Sequence, residues 1–115
     1  MVKLESLKKS DHFKKALREK KIHTNFFSIF AAKNFIKPKS NNLRISFVMK
    51  KKIGNAVKRN KIRRKLKAIV LKLIKIKGAI NRNYTYIVFG KTSSYSEKNE
   101  TLILTMTKSF KKFEN

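Results

Sequence analysis

Apolar and polar positions recur with two different periods along this chain, and the switches between them mark its elements. From Ser10 to Arg18, Phe13, Ala16 and Leu17 fall at i, i+3 and i+4, which is one face of a short helix. Ser10 is placed to cap that helix, and Asp11 suits the positive end of its dipole. From Asn25 to Ala32 the period drops to two. Phe27, Ile29 and Ala31 share one face of this strand, and Phe26, Ser28 and Phe30 share the other. The segment IKPKSNN, with the only proline at 38, reads as a loop. Leu43 to Lys50 alternates again, with Ile45, Phe47 and Met49 toward a core and Arg44, Ser46, Val48 and Lys50 away from it.

From about Asn55 to Ile76 the period becomes helical, with Val57, Ile62, Leu66, Ile69, Val70 and Leu73 as the apolar stripe and Gly78 as the stop signal. Tyr84 to Lys91 reads as another strand. Ser96 is placed to cap a last helix running to about Phe113, with Ile103, Met106, Phe110 and Phe113 inward. The expected order is α-β-β-(β)-α-β-α, the bracketed strand being short. That order predicts a small single-domain α+β sandwich over residues 1–115, a sheet flanked by helices.

Charge changes the picture from a generic fold to a binding protein. The 115 residues carry a net charge of +25, yet 41% are hydrophobic and nine are Phe, so the chain can build a core and is not compositionally disordered. No Asp or Glu lies between Glu19 and Glu97, an interval that holds 21 Lys and Arg. A field of one sign over the middle of a chain points to nucleic acid or an anionic surface. There is no Cys, which excludes disulfides and thiolate metal sites. No apolar run approaches the roughly 18 residues of a membrane span, and the start lacks the continuous apolar core of a signal peptide. A soluble cytoplasmic protein is expected.

The densest basic stretch, KKKIGNAVKRNKIRRKLK from Lys50 to Lys67, contains one uncharged phrase, Ile53-Gly54-Asn55-Ala56-Val57. Gly54 permits unusual dihedrals where a strand turns into a helix, and Asn55 is a good N-cap. The amides of the first turn add an anion site, with Lys51 and Lys52 just before it. At about 100° per residue, Ala56, Arg59, Asn60, Arg63, Arg64 and Lys67 fall in one arc beside the apolar stripe. Arginine forks match phosphate oxygens, Asn60 can read a base edge or a 2′-hydroxyl, and Ala56 leaves clearance for a backbone. A Lys/Arg run is often only a solvated helix face. The acid-free interval and the unrepetitive residue choice argue for a shaped surface here.

KKIGNAVKRNKIRRKLK closely resembles the signature of the protein subunit of bacterial ribonuclease P, and LKKSDHFKKAL, the strand with Phe27 and Phe30, and the closing strand and helix extend the resemblance over nearly the whole chain. The resemblance implies a left-handed βαβ crossover, where the general expectation is a right-handed one. It implies two partners, a large catalytic RNA and precursor tRNA, and a role in removing the 5′ leader. It places Lys51, Lys52, Asn55, Ala56, Arg59, Asn60, Lys61, Arg63, Arg64 and Lys67 at RNA, with Lys61 where an Arg is usual and a bidentate fork is lost. It also implies a leader-binding cleft between the first helix and the sheet, formed by Phe13, Leu17 and Phe30. Leu17 stands where a second Phe is common, and Phe30 where a Tyr is common.

Protein-borne RNA cleavage by metal ions needs clustered carboxylates. The six acids, Glu5, Asp11, Glu19, Glu97, Glu100 and Glu114, all lie outside the basic middle. His12 and His23 could form an acid/base pair, but no spacing rule links them. No catalytic or metal-binding side chain is therefore expected, nor any small-molecule ligand. Mg²⁺ is expected with the RNA–protein holoenzyme. Two other classes remain open on residues alone: a ribosomal-type structural RNA-binding protein with no enzymatic role, and a membrane-surface protein using a basic amphipathic helix.

Overall fold

Each central strand sends alternate side chains to two separate covers, so the sheet is buried on both faces. The computed structural model describes residues 3–35 and 42–113. The elements run β1 (Leu4–Glu5), α1 (Ser10–Ala16), β2 (Lys20–His23), β3 (Phe27–Lys33), β4 (Leu43–Val48), α2 (Ala56–Leu73), β5 (Tyr84–Gly90) and α3 (Asn99–Lys111). The five strands form one mixed sheet in the order β1-β4-β5-β3-β2. β4 pairs in parallel with both β1 and β5, and β3 pairs antiparallel with β5 and β2. This is the expected small α+β fold. Because β4 and β5 are parallel neighbours, the segment carrying α2 crosses over the sheet between them.

The main core lies between one sheet face and α2 and α3. Phe27, Ile29 and Ala31 of β3, Leu43 and Ile45 of β4, and Tyr84, Tyr86 and Val88 of β5 meet Ile62, Leu66, Ile69, Val70 and Leu73 of α2 and Leu102, Met106 and Phe110 of α3. Aromatic rings knit the far end. Tyr86 sits edge-on to Phe110 at 5.1 Å and to Phe113 at 5.6 Å, and its hydroxyl donates to the Asn81 carbonyl at 2.6 Å. Burial, then the neighbouring Tyr84, pushes the Tyr86 hydroxyl far above its ordinary pKa of 10.0. Gly90 closes β5 against Met49 and against Ile62 of α2. A Cβ there would fall 2.4 Å from Met49 Sδ and 2.9 Å from Ile62 Cγ2, so only glycine fits.

The opposite face is covered by α1 and the segment before it. Leu7, Ala16 and Ile87 are buried there, with Phe13, Phe30, Phe35, Val48 and Phe89 packed against them. Val48 and Ser46, expected to point away from the core, are therefore covered, and Ser46 Oγ accepts a hydrogen bond from the Leu7 amide at 2.8 Å.

Several boundaries differ from the sequence reading for identifiable reasons. The N-cap of α1 is Lys9 and that of α3 is Lys98, so neither Ser10 nor Ser96 caps a helix. The chain instead makes a 3-10 turn over Thr92–Ser94, and Lys65 ties the carbonyls of Ser94, Tyr95 and Glu97 to α2, so α3 begins only after the extended Lys98. α2 ends at Leu73, and Gly78, at φ 81°, turns the chain later. Phe26 precedes β3 and packs on the main core, not on the face with Phe30. Leu102 is buried in α3 while Ile103 is only partly so. Val57 is 76% exposed. At about 100° per residue it lies roughly 160° from the centre of the buried stripe, so it never shared that face. Three strands lie between α1 and α2, as the bracketed short strand allowed, but β2 had no residues assigned and β1 was not expected; β1 and β2 have two and four residues and almost no apolar alternation. Most of the IKPKSNN loop, residues 36–41, lies outside the described residues.

Candidate nucleic-acid interface

The corner ahead of α2 is built from the uncharged phrase. After β4, Lys51–Ile53 make one 3-10 turn, and Ile53 is buried as its anchor. Gly54 then takes φ 153° and ψ −162°, a conformation that side-chain-bearing residues rarely adopt. Asn55 caps α2 as expected, its Oδ1 accepting from the Lys58 amide at 2.9 Å. With one amide satisfied, the others of the first turn face solvent at the positive end of an 18-residue helix. Lys51, Lys52, Asn55 and Ala56 are all exposed around them.

Along α2 the basic residues divide between two flanks. Asn60, Arg64 and Lys67 are exposed, and Arg59 and Arg63 are half-buried at the margin of the core stripe. Arg63 Nη1 donates to Asn60 Oδ1 at 2.6 Å, so Asn60 orients the guanidinium before any ligand arrives. The opposite flank is occupied by contacts within the protein. Lys65 Nζ donates to the carbonyls of Ser94, Tyr95 and Glu97 at 2.9, 3.0 and 2.8 Å. Burial, reinforced by the charge on Lys61, lowers the Lys65 pKa against the opposing pull of Glu97. Lys58 and Lys61 lie over the Tyr95 ring, at 5.1 and 4.7 Å from its centroid. Ala56, Arg59, Asn60, Arg63, Arg64 and Lys67 are thus brought together, while Lys61 faces away from them.

A cleft of about 540 Å³ opens beside the corner. Leu17 and Phe30 line it, as expected. Phe13 does not, and packs in the α1 cluster beneath. The sequence reading did not place Phe89, His23, Ser28, Lys50 or Lys91 in the cleft, where all of them line it. Phe30 and Phe89 meet edge-on at 5.4 Å, and Lys50 Nζ lies 5.7 Å from the Phe89 centroid. Phe89 alternates with Val88 on β5 and falls opposite Ser28 in the ladder, a placement that only the β3–β5 register makes. Lys52 and Ile53 line the cleft and also belong to the corner, so cleft and α2 form one continuous basic surface. No carboxylate lines the cleft.

His12 packs edge-on to Phe35, whereas His23 bonds Ser28, so the two imidazoles serve different neighbourhoods. Among the described residues no three His, Cys, Asp or Glu cluster as a metal site would require, and no helix is long and apolar enough to cross a membrane.

A model of the ribonuclease P family matches residues 1–114. Among solved structures, an RNase P protein from Thermotoga maritima is 22% identical, with a TM-score of 0.74 over 96% of this chain and 99% of that one. A second, of the T. maritima protein in complex with 1-(4-fluorophenyl)-2-thiourea, is 21% identical with a TM-score of 0.70, covering 91% and 95%. An RNase P protein from Staphylococcus aureus is 20% identical with a TM-score of 0.64, covering 93% and 92%. At these identities the structures show a shared fold. No curated protein matches the chain.

Proposed function

This chain belongs to the ribonuclease P family, and from that premise we propose how its surface serves a protein component of that enzyme. The family membership decides between an enzyme subunit acting in tRNA 5′ processing and a ribosomal-type protein. The finer reading is that residues 1–115 act as one RNA-binding domain in the cytoplasm, with the β4–α2–β5 crossover left-handed. The observation that carries it is the continuity of the cleft with the capped, basic start of α2 through Lys52 and Ile53.

In this reading the exposed flank of α2 grips the catalytic RNA. Arg59, Arg63 and Arg64 offer forks to phosphates, Asn60 holds Arg63 and reads an edge, and Lys67 extends the line of charge. Lys51, Lys52, Asn55 and Ala56 receive the backbone passing the corner. The cleft takes the single-stranded 5′ leader of precursor tRNA. Leu17, Phe30 and Phe89 supply an apolar seat for a base, and Lys50, Lys52 and Lys91 supply countercharge. Phe13 supports that seat from beneath, and Lys61 steadies Tyr95.

Bond breaking is assigned to the RNA. The six carboxylates lie near the two ends of the chain, so the protein's donor set does not fit Mg²⁺, which belongs with the RNA in the holoenzyme. The protein's contribution is positional and electrostatic. It lowers the repulsion between two polyanions and holds the leader in register. The test is equilibrium binding of the chain to its RNA subunit across salt concentrations. Arg59→Ala and Arg63→Ala each weaken binding and flatten the salt dependence by roughly one phosphate contact. Variants that bind with wild-type affinity and slope would overturn the assignment of this flank.

A further inference from the structure

One titratable group in the cleft is left without a task by the reading above. His23 closes β2 and lines the cleft beside Phe30, with ring centroids 6.1 Å apart and planes at 86°. Its Nδ1 shares a 2.6 Å hydrogen bond with the Ser28 hydroxyl. Ser28 stands opposite His23 in the antiparallel ladder and is 5% exposed, so the ring is held from below by a fixed group. With Nδ1 engaged, Nε2 is the ring nitrogen left for a ligand, and it has no hydrogen-bond partner among the described residues.

The charges around it are all of one sign. Lys50 and Lys52 face the cleft from the corner before α2, Lys91 from just after β5, and Lys21 shares His23's side of β2, while the residue capping the end of α1, Leu17, is uncharged. Lys91 is tied by a 2.6 Å donation to the Thr24 carbonyl, two residues from Phe26 and one from His23. An imidazole in such a setting has no internal anion to pair with. An RNA phosphate is the group that completes it.

We propose that His23 contacts the leader, donating Nε2–H to a phosphate oxygen of single-stranded RNA in the cleft, and that protonation of the ring converts this into a charge-assisted contact. This rests on the leader-binding reading of the cleft. An imidazole changes charge between about pH 5 and 8, where neither a phosphodiester nor an ammonium does. The leader's contribution to binding therefore rises as pH falls, and one additional phosphate is neutralised, which steepens the salt slope by about 0.7 for a single strand.

The test compares precursor tRNA with leaderless mature tRNA, each bound to the reconstituted holoenzyme, at about pH 5.5 and about pH 8 and at several salt concentrations. The leader's advantage in wild type is expected to be severalfold larger at the lower pH, with the steeper slope. His23→Gln keeps a donor but no titratable charge, and its leader advantage is expected to be equal at both pH values. His12→Gln removes the other imidazole of the chain and is expected to keep the wild-type response. A wild-type leader advantage that ignores pH, or a His23→Gln variant that keeps the wild-type response, overturns the role of His23 alone. A leader that gives no advantage at either pH overturns the leader-binding reading of the cleft as well.

Discussion

Replacing Gly54 by alanine places a Cβ on a residue at φ 153° and ψ −162°. That region is essentially reserved for glycine, and holding another residue there costs about 1–3 kcal/mol. The new methyl would also lie 2.9 Å from Lys58 Cδ, but that atom belongs to a flexible chain and yields at little cost. The backbone is therefore the whole penalty. For a chain of this length, each kcal/mol shifts Tm by about 4 °C, so Gly54→Ala is expected to lower Tm by about 4–12 °C. The assay is thermal unfolding followed by circular dichroism at fixed salt, because a charge of +25 makes stability depend on anions. Asn55→Ala, which loses the cap on the Lys58 amide, provides a scale at about 1 kcal/mol. Affinity for the RNA subunit is expected to fall as well, since relaxing the corner re-aims the first turn of α2. A Gly54→Ala protein that melts with wild type and binds RNA as wild type does would refute the claim that this corner is a shaped device that requires glycine.

Three further perturbations separate packing, flank and ionisation. Gly90→Ala forces Met49 and Ile62 apart and is expected to cost about 1–3 kcal/mol, read as a lower midpoint in denaturant unfolding. Lys61→Ala is expected to weaken RNA-subunit binding less than Arg63→Ala, because Lys61 lies on Tyr95 and Arg63 on the exposed flank; a filter-binding titration that reversed this order would move the RNA surface around the helix. The raised pKa of Tyr86 contributes stability that is complete below about pH 10, where unfolded tyrosine is also neutral, and is lost as pH rises further. Tyr86→Phe is expected to show a shallower loss of stability above pH 10, and an equally steep loss would assign the alkaline transition to other groups.

The sequence displayed whatever its periodicity encoded, and little beyond. Ile62, Leu66, Ile69, Val70 and Leu73 repeat at helical spacing, and all are buried. Asn55 caps α2 because an Asn just ahead of an apolar period is a local signal that tertiary packing did not override. Ser10 and Ser96 carry the same kind of signal and cap nothing, since α1 starts after Lys9 and α3 after Lys98. The residues of β2 were not legible because it is an edge strand held by backbone pairing, with Lys21 exposed and Lys20 reaching back to donate to the Tyr84 hydroxyl at 3.0 Å. Of the three residues expected to form the cleft, Leu17 and Phe30 line it and Phe13 does not. Phe89 on β5, Lys91 just after it and His23 on β2 are distant in sequence, and only the β3–β5 and β2–β3 registers bring them there. The split of α2 into an RNA flank and a Tyr95 flank needed Tyr95, more than 30 residues from Lys61 in the chain, to be placed against it.

The most direct measurement is cleavage of precursor tRNA by the RNA subunit, with and without this chain, across Mg²⁺ concentrations. A protein that screens two polyanions and holds the leader shifts efficient cleavage to lower Mg²⁺, and the shift shrinks when Arg59 and Arg63 are replaced by Ala. Identical Mg²⁺ dependence with and without the protein would contradict it.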